Sequence, residues 1–343
     1  MSIMGEIGET IIINKVGAHE IHTSSAYKPG EREKELARVG KQLEKLQKKI
    51  PLEKFRIDLN ETVFKEPFES IKNDLTSLYL STGLEITEEN FPSVAVYNTR
   101  ERRVSKACGG FGAGRAGFGN RVDLFPAGGR DNPLPDIRML HHEIHHHLGR
   151  QVVVSRMAEK NLLGIKWKNP EITSTQLGFA HHLSGSDERG LVLEEGAVEY
   201  FSLDFILSSS NVDIIEARKQ YAREATGNNT DNLDNHSIRN ICKDELEKDT
   251  LPRYATARLL IETLIEGARK IGDDEAIEMR RDILKTRIDT KNTRSLMDRV
   301  DKIFGNGTFS EAFYLKFNGD KANEERNKHF VDNLREKAGL SSP

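Results

Sequence analysis

Residues 140–151 read LHHEIHHHLGRQ, which sets five histidines and one glutamate within twelve residues. Imidazole rings are bulky, polar and titrate near neutrality, so a chain that clusters them must solvate them or give them partners. The run is internal and is broken by Glu143 and Ile144, unlike an appended tag. On a helix over 134–149, Pro133 or Pro135 suits the first turn, Asp136 the positive end and Gly149 the stop. At about 100° per residue, Ile137, Leu140, Ile144 and Leu148 gather into one stripe. His142 and His146 fall nearly opposite. Such a helix buries its apolar back and turns two rings toward a cleft.

Two imidazoles four residues apart lie one helical turn above each other and can reach a single Zn²⁺. Glu143 follows the first of them and points near the open position of that ion. There it can take a proton from a water whose pKa the metal lowers to about 7. His142, Glu143 and His146 thus satisfy H-E-x-x-H. His141 and His145 have the same spacing, but His142 follows His141 where the base should stand, and both lie nearer the apolar stripe. They and His147 are expected to serve in polar packing or behind the ligands.

The third ligand decides the matter. A histidine six residues after His146 would extend the motif to H-E-x-x-H-x-x-G-x-x-H, but that position is Val152, which cannot bind zinc. The remaining source is a carboxylate on a downstream helix, and LVLEEGAVEYF offers Glu194, Glu195 and Glu199 in one segment expected to be amphipathic. With these residues the chain resembles the glutamate-zincin (gluzincin) metallopeptidases over roughly residues 93–270.

The resemblance implies that Glu195, directly before Gly196, is the third zinc ligand. It implies that Glu199 accepts the spare N–H of a ligand histidine, where gluzincins more often carry an aspartate. It further implies a sheet-edge strand at Gly119–Phe125 that pairs with the substrate backbone. An oxyanion-stabilising residue is also implied, Tyr254 before His181 or His182. The implied fold is α+β and zincin-like: a small mixed or antiparallel sheet with the zinc helix in one lobe, and a mainly helical C-terminal lobe.

The rest of the chain is read for organisation. Thr10–Asn14 is β-like, and residues 31–50 form an amphipathic helix on Leu36, Val39, Leu43, Leu46 and Ile50, too short to argue for a coiled coil. Residues 52–90 look helical, and SVAVYN (93–98) and RVDLF (121–125) look like strands. Between them, Gly112, Gly114 and Gly117 match G-x-G-x-x-G, but a strand rather than a helix follows, so the run is expected to be a flexible connection and not a dinucleotide loop. Residues 172–182 look extended, 190–207 helical, and three or four amphipathic helices follow from about 254.

The expected organisation is an N-terminal extension (1–50), a catalytic lobe (51–230), a helical lobe (231–320) and a loose polar tail (321–343). His19, Glu20, Ile21 and His22 echo the zinc motif at the wrong spacing and are expected in a loop without a role.

Composition narrows the functional classes. A net charge of −3 with both signs interspersed gives no case for a nucleic-acid partner. No signal-like start or bilayer-length apolar run is present, and two cysteines in 343 residues suit a reducing compartment, so a cytoplasmic protein with no membrane role is expected. A protein exported without such a signal would look the same. The sequence therefore points to a zinc-dependent peptidase acting on peptides or proteins, one Zn²⁺ per chain, endopeptidase before aminopeptidase. The competing expectation is an inactive, zinc-stabilised pseudopeptidase that binds a partner. Glu143 argues against it, since a closed structural site needs no base beside the metal.

Overall fold

The computed structural model describes residues 9–15, 18–23, 34, 55–98, 113–116, 121–126, 132–162, 165–183, 188–227 and 233–340. The expected helix over 31–50 lies outside them except for residue 34. The fold is mixed α+β with two sheets.

In chain order the elements begin with β1 (Glu9–Lys15), β2 (Ala18–Thr23), β3 (Arg56–Ile57), α1 (Lys65–Leu80), β4 (Ser93–Tyr97), β5 (Ala113–Ala116) and β6 (Arg121–Phe125). Next come α2 (Leu134–Leu148), β7 (Gln151–Leu162), β8 (Ile165–Leu177), β9 (Ala180–Leu183), β10 (Glu188–Arg189) and α3 (Leu191–Ser208). The helical remainder is α4 (Val212–Thr226), α5 (Asn235–Lys248), α6 (Pro252–Arg269), α7 (Asp273–Ile288), α8 (Thr293–Phe304), α9 (Thr308–Phe313) and α10 (Lys321–Lys337).

One sheet has the order β3-β4-β6-β5, parallel at β4/β6 and antiparallel at its other pairs. The other is antiparallel, in the order β10-β9-β8-β7-β1-β2, around the long β7–β8 hairpin. The buried apolar side chains form one continuous cluster from Phe64 to Leu334. Among the described residues no helix is long and apolar enough to cross a membrane.

The structure corrects several expectations. β6 is not an edge: part of the glycine run folds back as β5 and pairs antiparallel with it, so the edge falls to Ala113–Ala116. That short strand lies against α2. His19 to His22 lie in β2, not in a loop. The expected loose tail is α10, which buries Phe330, Val331 and Leu334 against α6. These three share one helix face, and the surrounding charges mask them in a composition-level reading.

Two helices position everything that follows. In α2 the stripe Ile137, Leu140, Ile144 and Leu148 is at most 2% exposed. Burying four such side chains contributes roughly 6–12 kcal/mol as an upper estimate. That is enough to hold a helix whose other side must desolvate histidines. α3 is not the amphipathic segment expected. It is wedged between α2 and α6 and buried nearly all round, so Glu194 and Glu199 sit inside the protein.

Candidate metal centre

α2 and α3 bring three ligand atoms together. His142 Nε2 lies 3.0 Å from His146 Nε2 and 3.3 Å from Glu195 Oε2, and His146 Nε2 lies 3.2 Å from that same oxygen. Tetrahedral bonds of about 2.0 Å set neighbouring ligand atoms about 3.3 Å apart. The triangle therefore fits a small divalent cation, and these three residues form a group that could hold one.

Protonation supports the fit. His142 Nδ1 donates to Glu199 Oε2 at 3.1 Å, and His146 Nδ1 donates to Glu194 Oε1 at 3.0 Å. A carboxylate only accepts, so both protons sit on Nδ1 and both Nε2 lone pairs face Glu195. Three electron-rich atoms converging at such distances need a cation between them. With no metal, a proton fills that need. Burial alone would lower the His146 pKa, but the Glu195 and Glu194 carboxylates outweigh it and raise it to about 10.

Each carboxylate behind a histidine is backed by an arginine. Arg138 pairs with Glu199 and also reaches the Leu246 carbonyl and the Thr250 hydroxyl. Arg287, wholly buried on α7, grips Glu194 with Nε and Nη2 at 3.0 and 2.7 Å. Its other donors reach the Tyr79 hydroxyl and the His145 carbonyl, tying α1 and α2 to the same point. Burial would raise the Glu194 carboxyl, but Arg287 and His146 hold it down to about 2.

The three glutamates of α3 thus have distinct stations. Glu194 is sealed against Arg287, Glu195 keeps 15% of its side chain exposed beside the two imidazoles, and Glu199 stands behind His142. Sequence reasoning named Glu194 as a candidate carboxylate but missed its place behind His146. Its partner Arg287 lies 93 residues away, with no local signal linking them.

Two glycines permit these approaches. A Cβ on Gly178, at φ +55°, would lie 2.0 Å from Glu194 Oε2, and on Gly196 it would lie 2.2 Å from the Ala257 carbonyl oxygen. The second contact lets α6 cross close over α3, which brings Tyr254 to the site. The Tyr254 ring stands edge-on to His142 with centroids 6.1 Å apart. Burial and then the Glu195 carboxylate push its phenol well above the usual range, with Glu143 adding to the effect. Tyr254 therefore stays a neutral donor. Glu143 is itself buried on α2, one residue after the first ligand.

No other described histidine side chain joins the triangle. His141 bonds Ser202 and Asp74 and stacks on Phe205; His145 sits among Tyr79, His141 and Phe201; His147 meets Gln151. His181 packs against Phe313. The His182 side chain is outside the described residues. An open depression of about 410 Å³ between α1 and α4, lined by Val63, Pro67, Ile137 and Glu216 among others, contains none of the three residues that could hold a metal. Compared with protein-family models, curated proteins and solved structures, the chain matches none, so the group that could hold a metal stands on its own geometry.

Proposed function

We propose that this protein is a zinc-dependent metallopeptidase of the gluzincin kind its sequence resembles, with a zincin-like catalytic lobe. The observation that carries the proposal is the triangle of His142 Nε2, His146 Nε2 and Glu195 Oε2, with edges of 3.0 to 3.3 Å. Only three protein ligands converge there among the described residues, and a carboxylate follows the first in sequence. Three ligands suit a catalytic zinc, whereas structural sites close with four.

Bound zinc supplies a Lewis acid that polarises the substrate carbonyl and makes a water acidic near pH 7. Glu143 takes the proton of the attacking water and later delivers it to the leaving amine. Tyr254, held neutral, donates a hydrogen bond to the oxygen on which charge develops. Glu194 and Glu199 keep both imidazoles in the tautomer that presents Nε2. β5 carries the outer edge of the mixed sheet beside α2, the place for an extended peptide to add as a strand.

The test is elemental analysis of purified wild type beside Glu195→Ala and Glu143→Gln, followed by a peptide-library digest. One zinc per chain is expected in wild type and Glu143→Gln and none in Glu195→Ala, with cleavage only in wild type. Zinc indifferent to Glu195 would overturn the ligand set. Zinc bound as expected with no peptide cleaved would favour the inactive, partner-binding alternative.

A further inference from the structure

Arg253 is the neighbour of Tyr254 in the first turn of α6, and three features make it a costly place for a cation. A helix N-terminus carries the positive end of the dipole, which disfavours arginine, and no acidic residue stands in that first turn. Among the described residues no carboxylate pairs with the guanidinium. Its Nε is buried with no acceptor among the described residues. A buried donor left unsatisfied costs about 1–3 kcal/mol, so native structures rarely tolerate one without a use.

The surroundings hold the group ready instead of neutralising it. The guanidinium carbon lies 5.5 Å from the ring centres of both Tyr254 and Phe317, and those rings meet edge to face at 5.0 Å. One donor of the fork is engaged by the Tyr254 hydroxyl, while the aromatic faces hold the rest of the planar cation without consuming its donors. Gly319 faces the outer nitrogens: a Cβ there would lie 3.1 Å from Nη1. The result is an oriented fork of donors, lacking an anion, one residue from a phenol that stands against a ligand histidine.

We propose that Arg253 is the substrate-carboxylate anchor of this site, selecting peptides that present a carboxylate beside the scissile bond. The identity of the ligand rests on the peptidase reading above; the need for an anion rests on Arg253 alone. A C-terminal carboxylate and an acidic side chain share the chemistry that a planar guanidinium fork recognises.

The experiment is calorimetric titration of the zinc-loaded Glu143→Gln protein, which binds without turnover. The probes are an N-acetylated tetrapeptide as free acid and as amide, and an amidated tetrapeptide with an interior glutamate or glutamine. The same titrations are run with Arg253→Met or Arg253→Lys added, each checked by thermal melting. In one pair the carboxylate form is expected to bind about tenfold tighter, the scale of a charge-assisted hydrogen-bond pair. Arg253→Met should reduce that preference to within about twofold, and Arg253→Lys should keep part of it.

The pair that responds names the source of the carboxylate. No preference in either pair, or an equal loss for charged and neutral peptides in Arg253→Met, overturns the proposal in favour of a packing role. An Arg253-dependent preference with no hydrolysis by wild type would leave the anchor standing and remove the peptidase. Hydrolysis without the preference would do the reverse.

Discussion

Replacing Glu194 with glutamine keeps the shape of the side chain and removes one charge from the most enclosed ion pair among the described residues. Arg287 and Glu194 are both fully buried, joined by two hydrogen bonds of 2.7 and 3.0 Å. Removing one partner of such a pair leaves an uncompensated buried charge and costs about 3–5 kcal/mol. A chain of this size shifts its Tm by roughly 2–4 °C per kcal/mol, so the metal-free variant should melt about 6–20 °C lower. The same change weakens the acceptor that fixes His146 Nδ1, and losing such a partner typically costs 10–100-fold in metal affinity. Glu195→Gln should abolish metal affinity and also lower the metal-free melt, because the Glu195 carboxylate is the first of the groups that hold the His146 proton.

The assay is thermal melting with and without zinc, combined with chelator competition for affinity. The double variant Glu194→Gln/Arg287→Met supplies the internal control. It removes both charges, so its metal-free stability should exceed that of Glu194→Gln while its zinc affinity stays low, a non-additivity expected only of residues acting as a pair. A Glu194→Gln protein that melts within about 2 °C of wild type and binds zinc equally well would refute the argument. The distances would then describe a pair whose desolvation already cancels its attraction.

Three further outcomes follow from the same geometry. Gly178→Ala adds a methyl that would lie 2.0 Å from Glu194 Oε2 on a φ +55° backbone; about 1–2 kcal/mol of backbone strain and a measurable loss of zinc affinity by chelator competition are expected. Tyr254→Phe should lower kcat by about 10²–10³ with zinc content and KM nearly unchanged in steady-state assays, the effect of losing one oxyanion donor. In the metal-free protein His146 rises from 6.5 to about 10, so its stabilising contribution is full below pH 6.5 and is lost as pH rises through about 10. Glu194 falls from 4.5 to about 2, so its contribution is full above pH 4.5 and is lost as pH falls through about 2. Melting across pH should show both limbs, and zinc should abolish the alkaline one, because the metal takes the place of the His146 proton.

Local periodicity made part of the fold legible. The stripe on α2 and the short runs SVAVY and RVDLF are patterns that a few residues determine by themselves, and they form the elements expected of them. What periodicity does not carry is neighbourhood. RVDLF reads equally well as an edge or an interior strand, and only the return of the glycine run as β5 decides between them. In α10, the three apolar residues that dock on α6 are outnumbered by charges, and tertiary burial of one face outweighs the composition of the rest.

The site divides along the same line. His142, Glu143 and His146 are legible because a single helix fixes their relative positions, whatever surrounds it. Glu195 required a second helix, and its choice over Glu194 or Glu199 rested on resemblance alone, since three carboxylates within five residues can all face a cleft in principle. What separates them is the environment that distant segments supply. Arg287 from α7 claims Glu194, Arg138 from α2 claims Glu199, and Glu195 has no arginine among its described contacts. A carboxylate already neutralised by an arginine makes a poor ligand for a dication but a good brace for an imidazole. One left unneutralised, facing two imidazole lone pairs, is the one with charge to give a metal. The division of labour among the glutamates is therefore written in the arginines, and no pattern within LVLEEGAVEYF could contain it.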